Sequence, residues 1–282
     1  MNNMSIKEFV KRKEFLICVD SDGCAMDTMD VKHKKCFGPC LIKEWGLEKW
    51  EREILERWNE INLYSVSRGI NRFKGLAVLL SEVNDKIMKI DGLEDLLAWV
   101  NSTKETSNDS IRKEIERTGS ECLKKVLNWS LSLNLAIDAL SDDAKKPFEG
   151  VKQTLEKMHT FADVAIVSSA NNSAVVEEWT KYGLINSVDV IMTQEDGSKA
   201  SCISEMKKKG YGENKVLMVG DADGDCKAAE VNGVYFYPIL VKHETESWKK
   251  LNSEALGLFA DGRLDGEYRQ RLIKEFYENF GA

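Results

Sequence analysis

The chain has 282 residues, of which 43% are hydrophobic and 31% are charged, a balance typical of a soluble globular protein of about two domains. Its formal net charge of −7 argues against a broad basic surface for nucleic acid, although a local cationic pocket for an anionic substrate would not show in that sum. The opening segment MNNMSIKEFVKRKEF carries charges where a signal peptide has its apolar region, and no apolar run approaches membrane-spanning length. We therefore expect a cytoplasmic protein that binds neither nucleic acid nor a membrane.

Seven cysteines are scattered along the chain, and their odd number fits reduced thiols in a cytosolic protein. Cys36 and Cys40 are close in sequence, but they lack a second pair or a histidine cluster at zinc-ligand spacing. The cysteine pattern therefore argues against a zinc site.

Short apolar runs predict five β-strands, at residues 15–19, 164–167, 188–192, 216–219 and 234–240. Helical patterns lie between the last four runs, at residues 174–182, 201–209 and 225–232. Strands that alternate with helices predict βαβ units, and hence a doubly wound, Rossmann-like α/β core with a mostly parallel sheet. Reactive groups are then expected at the carboxyl ends of the strands.

The long segment between the first two strands has a different character. Trp50, Ile54, Trp58 and Ile61 recur at the three- and four-residue spacing of an amphipathic helix, and the polar residues 101–110 predict a loop. We therefore expect an inserted all-helical cap domain at 26–147, with residues 1–25 and 148–242 forming the catalytic core. The polar, helix-rich residues 243–282 predict a C-terminal extension packed on the core.

Three carboxylates surround a glycine where the first predicted strand ends, in FLICVDSDGCAMD. Asp20, Asp22 and Asp27 would repel one another and lose hydration near the end of a sheet, unless a cation offsets their charge. Hard oxygen ligands at such a site indicate magnesium. The alternative is that Asp22 and Gly23 only form a turn, since Asp-Gly is a common turn dipeptide.

Polar clusters also follow the later predicted strands. Ser168 follows the second strand in SSANN, Lys199 follows the third in QEDGSKAS, and Asp221 and Asp225 follow the fourth in GDADGD. Because the carboxyl ends of parallel strands lie at one edge of a sheet, we expect these clusters to converge with the acids of the first strand.

Together these residues resemble the four signature motifs of the haloacid dehalogenase-like hydrolase superfamily, in the same order and with the same strand placement. The pattern DxDGxxxD is met by Asp20, Asp22, Gly23 and Asp27, and GDxxxD by residues 220–225. The resemblance covers residues 14–30 and 147–240, and it extends to the insertion only in position and helical character. Each motif alone is weak evidence, but four in order are a strong signal.

The resemblance implies a magnesium-dependent phosphohydrolase that forms an aspartyl-phosphate. Asp20 would attack phosphorus, and Asp22 would protonate the leaving oxygen and then deprotonate the attacking water. The remaining candidates would bind phosphate or metal: Ser168, Ser169, Asn171 and Lys199 for phosphate, and Asp20, the backbone carbonyl of Asp22, Asp221 and Asp225 for Mg²⁺.

Three positions need separate interpretation. The family usually has threonine or valine where Cys24 stands, and proline often follows the lysine where this chain has Ala200. We interpret Cys24 as a small buried hydrophobe rather than a reactive thiol. Asp223 is an extra acid, and we interpret it as a solvated turn residue rather than a metal ligand.

The superfamily that these motifs resemble also includes enzymes that catalyse other reactions. Phosphosugar mutases carry a histidine where this chain has Lys32, and His33 is displaced by one residue, which turns a helical side chain by about 100°. Phosphonoacetaldehyde hydrolases use a cap lysine, but Lys32, Lys34 and Lys35 predict a solvated basic helix face. Dehalogenase relatives lack the equivalent of Asp22. A non-catalytic protein that binds a phosphorylated ligand is the alternative outside enzymology.

The inserted segment SVSRGINRFKGL offers the cations Arg68, Arg72 and Lys74 around two glycines. Arg72 is our candidate for contacting a second anionic group of a small phosphorylated metabolite, although surface cations explain the cluster equally well. Neither the identity of the metabolite nor the oligomeric state follows from the sequence.

Overall fold

Seven strands are present in the structure, a computed structural model that describes residues 6–103 and 106–281. They are β1 (Phe15–Val19), β2 (Met26–Asp27), β3 (Lys146–Pro147), β4 (Ala162–Val167), β5 (Val190–Met192), β6 (Val216–Gly220) and β7 (Tyr235–Pro238). Five of them form one parallel sheet in the order β5-β4-β1-β6-β7. The predicted α/β class with a parallel sheet is therefore confirmed.

The order of the strands places β1 at the centre of the sheet. Val19 lies opposite Ile166 of β4 on one side and Val219 of β6 on the other. The chain runs outward from β1 through β4 to β5, and then returns to the other side of β1 as β6. Ligands of open α/β sheets bind beyond the carboxyl ends of the strands where this direction reverses.

The ends of four strands differ from the predicted ones: β4 begins two residues earlier, at Ala162, and β6 ends one residue later, at Gly220. β5 begins at Val190 rather than at residue 188, and β7 covers Tyr235–Pro238 rather than 234–240. The last bond between β7 and β6 is donated by the N–H of Ile239, directly after Pro238, to the carbonyl of Gly220 at 2.8 Å, and β6 ends at that glycine.

Alternate residues of each central strand pack on opposite faces of the sheet. Phe15, Ile17 and Val19 lie in one hydrophobic cluster, whereas Leu16 and Cys18 lie in another. Helices cover both faces: α8 (Val151–Phe161) and α9 (Asn172–Lys181) on the first, and α10 (Lys199–Lys207) and α11 (Asp223–Val231) on the second. Because both faces are covered, the strands are apolar throughout rather than alternating with polar residues.

Residues 243–281 form three further helices, namely α12 (Glu244–Lys250), α13 (Leu256–Ala260) and α14 (Glu267–Glu278). Trp248 of α12 and Phe259 of α13 belong to the first hydrophobic cluster, and Phe276 of α14 lies edge-on against Phe236 of β7, with ring centroids 5.3 Å apart. These helices therefore share the two hydrophobic clusters of the sheet.

The chain divides into two compact units, one of residues up to Met29 and from Asp142 onward, and the other of Asp30–Ser141. We call them the core unit and the helical unit. The short strands β2 and β3 pair antiparallel, Met26 with Pro147 and Asp27 with Lys146. We expected these residues at the two ends of an all-helical insertion, but they form a β-ribbon instead.

The helical unit has its own hydrophobic core, in which the indole rings of Trp58 and Trp129 lie edge to face with centroids 6.0 Å apart. The predicted loop at 101–110 is shorter in the structure, and its residues 104–105 lie outside the described part of the chain. Among the described residues, no helix is long and apolar enough to cross a bilayer. The helices of this unit are α1 (Met29–Lys32, beginning one residue before it), α2 (Gly38–Trp45), α3 (Glu51–Asn59), α4 (Arg72–Lys86), α5 (Leu93–Ser102), α6 (Asn108–Thr118) and α7 (Glu121–Asp138).

Candidate active site

The chain makes a tight turn directly after the central strand, in residues 20–26, which we call the β1 loop. The backbone N–H of Asp20 donates to the carbonyl of Val219 in β6 at 3.0 Å. The carbonyl of Ser21 then accepts hydrogen bonds from the backbone N–H groups of residues 24–26, at 3.3, 3.0 and 2.8 Å. Gly23 has φ = 81°, a left-handed conformation that glycine adopts without steric cost. The loop thereby holds Asp20 at the carboxyl end of β1.

Lys199 joins two buried carboxylates beyond the strand ends. It is the first residue of α10, whose N-terminus is capped by the Ser198 side chain. Its Nζ lies 2.9 Å from Oδ1 of Asp20 and 2.6 Å from Oδ1 of Asp225. The side chains of Lys199, Asp20 and Asp225 are only 15%, 7% and 0% exposed, so these charges interact with little screening by water.

The last residue of β6 must be glycine for Asp225 to take its place. A Cβ atom added to Gly220 would lie 2.3 Å from Cγ and 2.4 Å from Cβ of Asp225. Oδ2 of Asp225 also accepts a hydrogen bond from the N–H of Ala222 at 3.1 Å, which fixes the carboxylate at the start of α11. The close approach of backbone and carboxylate accounts for the glycine in the GDADGD segment.

Three carboxylates have the arrangement of a metal-binding group. Each of Asp20, Asp221 and Asp225 offers an oxygen, and these oxygens lie within 4.8 Å of one another at buried positions. Burial raises the pKa of Asp20 well above its usual range; Lys199 opposes the rise, and Asp225 and Asp221 add to it. A divalent cation among these oxygens would favour the ionised carboxylates, so the donor set fits a hard cation such as Mg²⁺.

Asp225 and Lys199 also have raised pKa values, but for opposite reasons. Burial raises the pKa of Asp225, against the effect of Lys199, and the charge of Asp221 adds to the rise. Burial alone would lower the pKa of Lys199, but Asp20 and Asp225 outweigh it and raise that pKa above its usual range. The lysine therefore carries its positive charge at neutral pH.

Ser168 lies at the carboxyl end of β4, beside the central strand. Its N–H donates to the carbonyl of Met192 at 3.0 Å, and its Oγ accepts from the N–H of Ala170 at 3.1 Å. A hydroxyl that accepts one hydrogen bond can still donate its own proton. Ser168 is 4% exposed, whereas the neighbouring Ser169 is exposed.

Asn171, which we predicted to contact phosphate, has a capping role in the structure. Its Oδ1 accepts from the N–H of Ala174 at 2.8 Å and from the hydroxyl of Ser173 at 3.0 Å, at the N-terminus of α9. The side-chain oxygen is therefore engaged within the helix cap.

Asp22 is oriented by a residue that the sequence analysis did not single out. The buried Thr28 hydroxyl donates to Oδ1 of Asp22 at 2.6 Å. No local pattern marks a threonine six residues later as this donor. Asp27, the last acid of the first motif, is exposed and lies in the β-ribbon opposite Lys146.

Cys24 and Asp223 have structural partners. Cys24 is fully buried, its thiol lies 3.6 Å from the carbonyl of Val219, and burial raises its pKa well above the usual range, as suits an inert thiol. Asp223 accepts from the Tyr277 hydroxyl at 2.9 Å and pairs with Lys227 at 2.6 Å. Its side chain is 14% exposed, so the expected solvated turn residue is instead a largely buried residue at the start of α11.

The candidate cations of the helical unit differ in burial. Arg68 is buried and donates to the carbonyl of Leu63 at 2.9 Å, and Lys74 is exposed. Arg72 donates to Oδ1 of Asn134 at 2.8 Å, and its guanidinium lies 5.4 Å from the ring centre of Phe37.

The residues considered for related reactions lie at the start of the helical unit. His33 is buried, accepts from the Trp58 indole N–H at 3.1 Å and stacks on Phe37. Lys34 and Lys35 are exposed, as predicted, but the prediction was wrong for Lys32, which is only 6% exposed. A basic run gives no sign of which of its members turns inward.

The fold and the site define an α/β protein with a buried, lysine-bridged cluster of acids at the carboxyl ends of parallel strands. The sequence model of haloacid dehalogenase-like hydrolases matches residues 83–239, more than half of the chain. The chain therefore belongs to the haloacid dehalogenase-like hydrolase family, which confirms the resemblance of its motifs. The match includes Ser168, Lys199, Asp221 and Asp225 and begins after the β1 loop.

Solved structures of similar fold have low sequence identity to this chain. A haloacid dehalogenase-like hydrolase from Streptococcus pneumoniae is 12% identical with a TM-score of 0.49, covering 83% of this chain and 90% of that one. A protein assigned as a phosphoglycolate phosphatase from Lactobacillus delbrueckii is 16% identical with a TM-score of 0.49, covering 80% and 86%. A protein assigned as a β-phosphoglucomutase from Thermotoga maritima is 15% identical with a TM-score of 0.47, covering 79% and 84%. A comparison with curated protein sequences gives no match.

Proposed function

We propose that the protein is a magnesium-dependent phosphohydrolase of small phosphorylated metabolites that acts through an aspartyl-phosphate intermediate. The observation that carries this proposal is the buried cluster in which Lys199 bridges Asp20 and Asp225, with an oxygen of Asp221 within the same 4.8 Å group. Such a cluster combines an anionic nucleophile with the cationic charge needed to bring a phosphate towards it.

In this proposal, Asp20, Asp221 and Asp225 hold the magnesium ion, and the backbone carbonyl of Asp22 is the further candidate ligand. The bound ion supplies positive charge that offsets the repulsion between the phosphate and the carboxylates. Lys199 supplies a second positive charge, 2.9 Å from Oδ1 of Asp20. The Ser168 hydroxyl donates to a phosphate oxygen, and the backbone N–H of Ser169 is a further candidate donor.

The reaction has two displacements at phosphorus. A carboxylate oxygen of Asp20 bonds to phosphorus as the bond to the ester oxygen breaks, and Asp22 gives its proton to that leaving oxygen. Water then attacks the aspartyl-phosphate, Asp22 accepts its proton, and inorganic phosphate leaves with Asp20 restored. The hydrogen bond from Thr28 to Asp22 would keep the carboxyl group in one orientation through both steps.

The direct test is magnesium-dependent release of inorganic phosphate from a panel of phosphorylated metabolites and an aryl phosphate. We expect Asp20→Asn to lower kcat by at least ~1,000-fold, because an amide cannot replace the carboxylate nucleophile. Asp223→Asn is the matched control, because Asp223 lies between Asp221 and Asp225 in sequence but does not belong to the group of three carboxylates that could hold a metal ion. This variant should retain most of the activity.

Three results would contradict the proposal. Phosphate release that persists in EDTA or in Asp20→Asn would exclude this mechanism. Conversion of a sugar phosphate to its isomer without release of phosphate would favour a mutase. Failure across the whole panel, combined with binding of a phosphorylated compound, would favour a non-catalytic phospholigand-binding protein.

A further inference from the structure

Two buried tryptophans donate hydrogen bonds to the β1 loop from distant parts of the chain. The indole N–H of Trp179 in α9 donates to Oγ of Ser21 at 2.9 Å. The indole N–H of Trp248 in α12 donates to the carbonyl oxygen of Cys24 at 2.8 Å. Both indoles have 0% exposure, and the bonds join residues 158 and 224 positions apart.

The position of these bonds matters because the strand pairing of β1 ends just before Ser21 and Cys24. The pairing of β1 with β4 and β6 ends at Val19, with one further bond from the N–H of Asp20 to Val219, and near the end of the β1 loop the N–H of Phe148 donates to the carbonyl of Ala25 at 3.1 Å. Between these two points the loop is ordered chiefly by bonds within itself, those accepted by Ser21 and the one from Gly23 to Met26 at 2.8 Å. Such internal bonds fix the shape of a loop but not its orientation relative to the rest of the site. Orientation requires contacts to elements outside the loop.

One of the bonded groups lies between the two acids, and the other lies two residues after the second acid. Ser21 stands between Asp20 and Asp22, and Cys24 follows Gly23 in the same turn. A rotation of the peptide at Ser21 would move both carboxyl groups at once. A shift of about 1 Å in a reacting group is enough to cost on the order of 100-fold in rate.

Trp248 is itself held in place by the sheet. The neighbouring residue Ser247 accepts from the Tyr237 hydroxyl through its carbonyl at 2.9 Å and from the N–H of Leu240 through its Oγ at 3.0 Å. These bonds tie α12 to β7 and to the residues that follow it. The indole of Trp248 thus connects the β1 loop to a fixed point on another strand.

Trp179 is held in a comparable way. α9 follows β4 and is capped by Asn171, and Trp179 packs in the same hydrophobic cluster as Ile17 and Val19 of the central strand. A buried indole is a rigid donor, because its N–H has no freedom apart from that of the ring.

We propose that Trp179 and Trp248 are positioning residues that hold Asp20 and Asp22 in reacting orientation through their indole N–H bonds to Ser21 and Cys24. The inference rests on the proposed function, and it gives the helix that follows β7 a specific part in the active site. Neither indole is assigned a contact with substrate.

Tryptophan-to-phenylalanine substitutions test the proposal, because phenylalanine keeps a buried aromatic ring and removes the N–H donor. We expect Trp179→Phe and Trp248→Phe each to lower kcat by ~10- to 100-fold, with KM changed less than ~2-fold. Ser21→Ala should lower kcat similarly, and adding it to Trp179→Phe should cause little further loss, since both changes remove the same bond.

Tyr211→Phe is the matched control within the core unit. It removes a buried hydrogen bond of 2.6 Å, from the Tyr211 hydroxyl to Asp163, which lies near the beginning of β4 rather than at its carboxyl end. We expect this variant to lose a similar few degrees of Tm but to keep wild-type kcat. If the tryptophan variants lose no more kcat than Tyr211→Phe, the bonds only stabilise the fold and the inference is wrong.

A second measurement does not depend on turnover. Amide hydrogen exchange of residues 20–26 should become faster in Trp179→Phe and Trp248→Phe and stay unchanged in Tyr211→Phe. Unchanged exchange in both tryptophan variants would overturn the inference whatever the activity. Failure of the wild-type protein to release phosphate, together with faster exchange in these variants, would instead contradict the proposed function and leave the loop contacts established.

Discussion

Gly220 and Asp225 leave no room between them for a side chain on Gly220. Because an added Cβ would lie 2.3 Å from Cγ of Asp225, Gly220→Ala must move either the carboxylate or the end of β6. We expect this variant to lose ~1–3 kcal/mol of unfolding free energy through overpacking. A weaker dependence on magnesium should accompany the loss, and both are measurable by urea unfolding and by titration of activity with Mg²⁺.

Gly224→Ala is the control for that experiment. Nothing lies within 4 Å of a Cβ at Gly224, which is in the first turn of α11. Alanine is the better helix former, so this variant should be neutral or more stable by up to about 1 kcal/mol. If the two variants have the same unfolding free energy and the same dependence on Mg²⁺, the close approach at Gly220 does not contribute to stability or to the site.

Arg72 has two candidate roles: a structural one, through its contacts with Asn134 and Phe37, and the predicted contact with the substrate. If its guanidinium contacts a second anionic group of the substrate, Arg72→Ala should lower kcat/KM by ~10-fold or more for a metabolite with two such groups. An aryl phosphate, which lacks the second group, should be unaffected. Asn134→Ala removes the same 2.8 Å hydrogen bond but leaves the charge, and should keep kcat/KM for both substrates. A loss in Asn134→Ala equal to that in Arg72→Ala would indicate a structural effect.

At the residue scale, the sequence predicts which polar groups meet but not what holds them. Asp20, Lys199 and Asp225 follow separate apolar runs, so the rule that ligands bind at strand ends was enough to group them. Thr28, Trp179 and Trp248 were missed because a hydrogen bond between distant residues leaves no periodic signal. Lys32 was wrongly expected on a solvated face, because charge alone does not determine burial.

At the scale of elements, the N-terminus of α9 offers a way to decide whether Asn171 only caps the helix or also contacts the substrate. Oδ1 of Asn171 bonds the N–H of Ala174, so Asn171→Ala should cost ~1 kcal/mol, whereas Asn171→Ser should keep the cap. We expect wild-type kcat/KM in Asn171→Ser, with its Tm near that of the native protein. A loss of kcat/KM in the serine variant at unchanged Tm would show that the amide contacts the substrate.

Elements with a clear apolar pattern were predicted well, and short ones were not. The central strand was predicted at its observed bounds, Phe15–Val19, because five consecutive apolar residues buried on both faces give an unambiguous run. The strands of the β-ribbon have two residues each, too few for any periodicity. The ends of β5 and β7 depend on pairing partners, which a single run of sequence does not specify.

At the scale of the whole molecule, the buried acids link stability to pH, and the proposed function links both to magnesium. In the metal-free protein the pKa values of Asp20 and Asp225 are raised above 3.8, so folding favours their protonated forms. Their contribution to stability is therefore full below about pH 3.8 and is lost as the pH rises through the folded-state pKa values. Magnesium binding favours the ionised carboxylates and should offset this loss.

We therefore expect the rise in Tm caused by magnesium to be larger near pH 8 than near pH 5, since fewer protons must be displaced at the higher pH. Thermal unfolding with excess Mg²⁺ or EDTA measures this difference. In Asp225→Asn the rise should be smaller at both values. A magnesium effect that is the same at both pH values, or is retained in the variant, would argue against a metal ion at this cluster.

The central place of β1 has a consequence for biosynthesis. Its residue Leu16 lies opposite Asp163 and Val216, both of which leave the ribosome long after it. At ~5–20 residues per second, the nascent strand waits ~10 s or more for its second neighbour, with apolar side chains and open hydrogen-bonding edges available to other chains. Asp20, the proposed nucleophile, directly follows this strand, so it is synthesised long before the strands that complete its site.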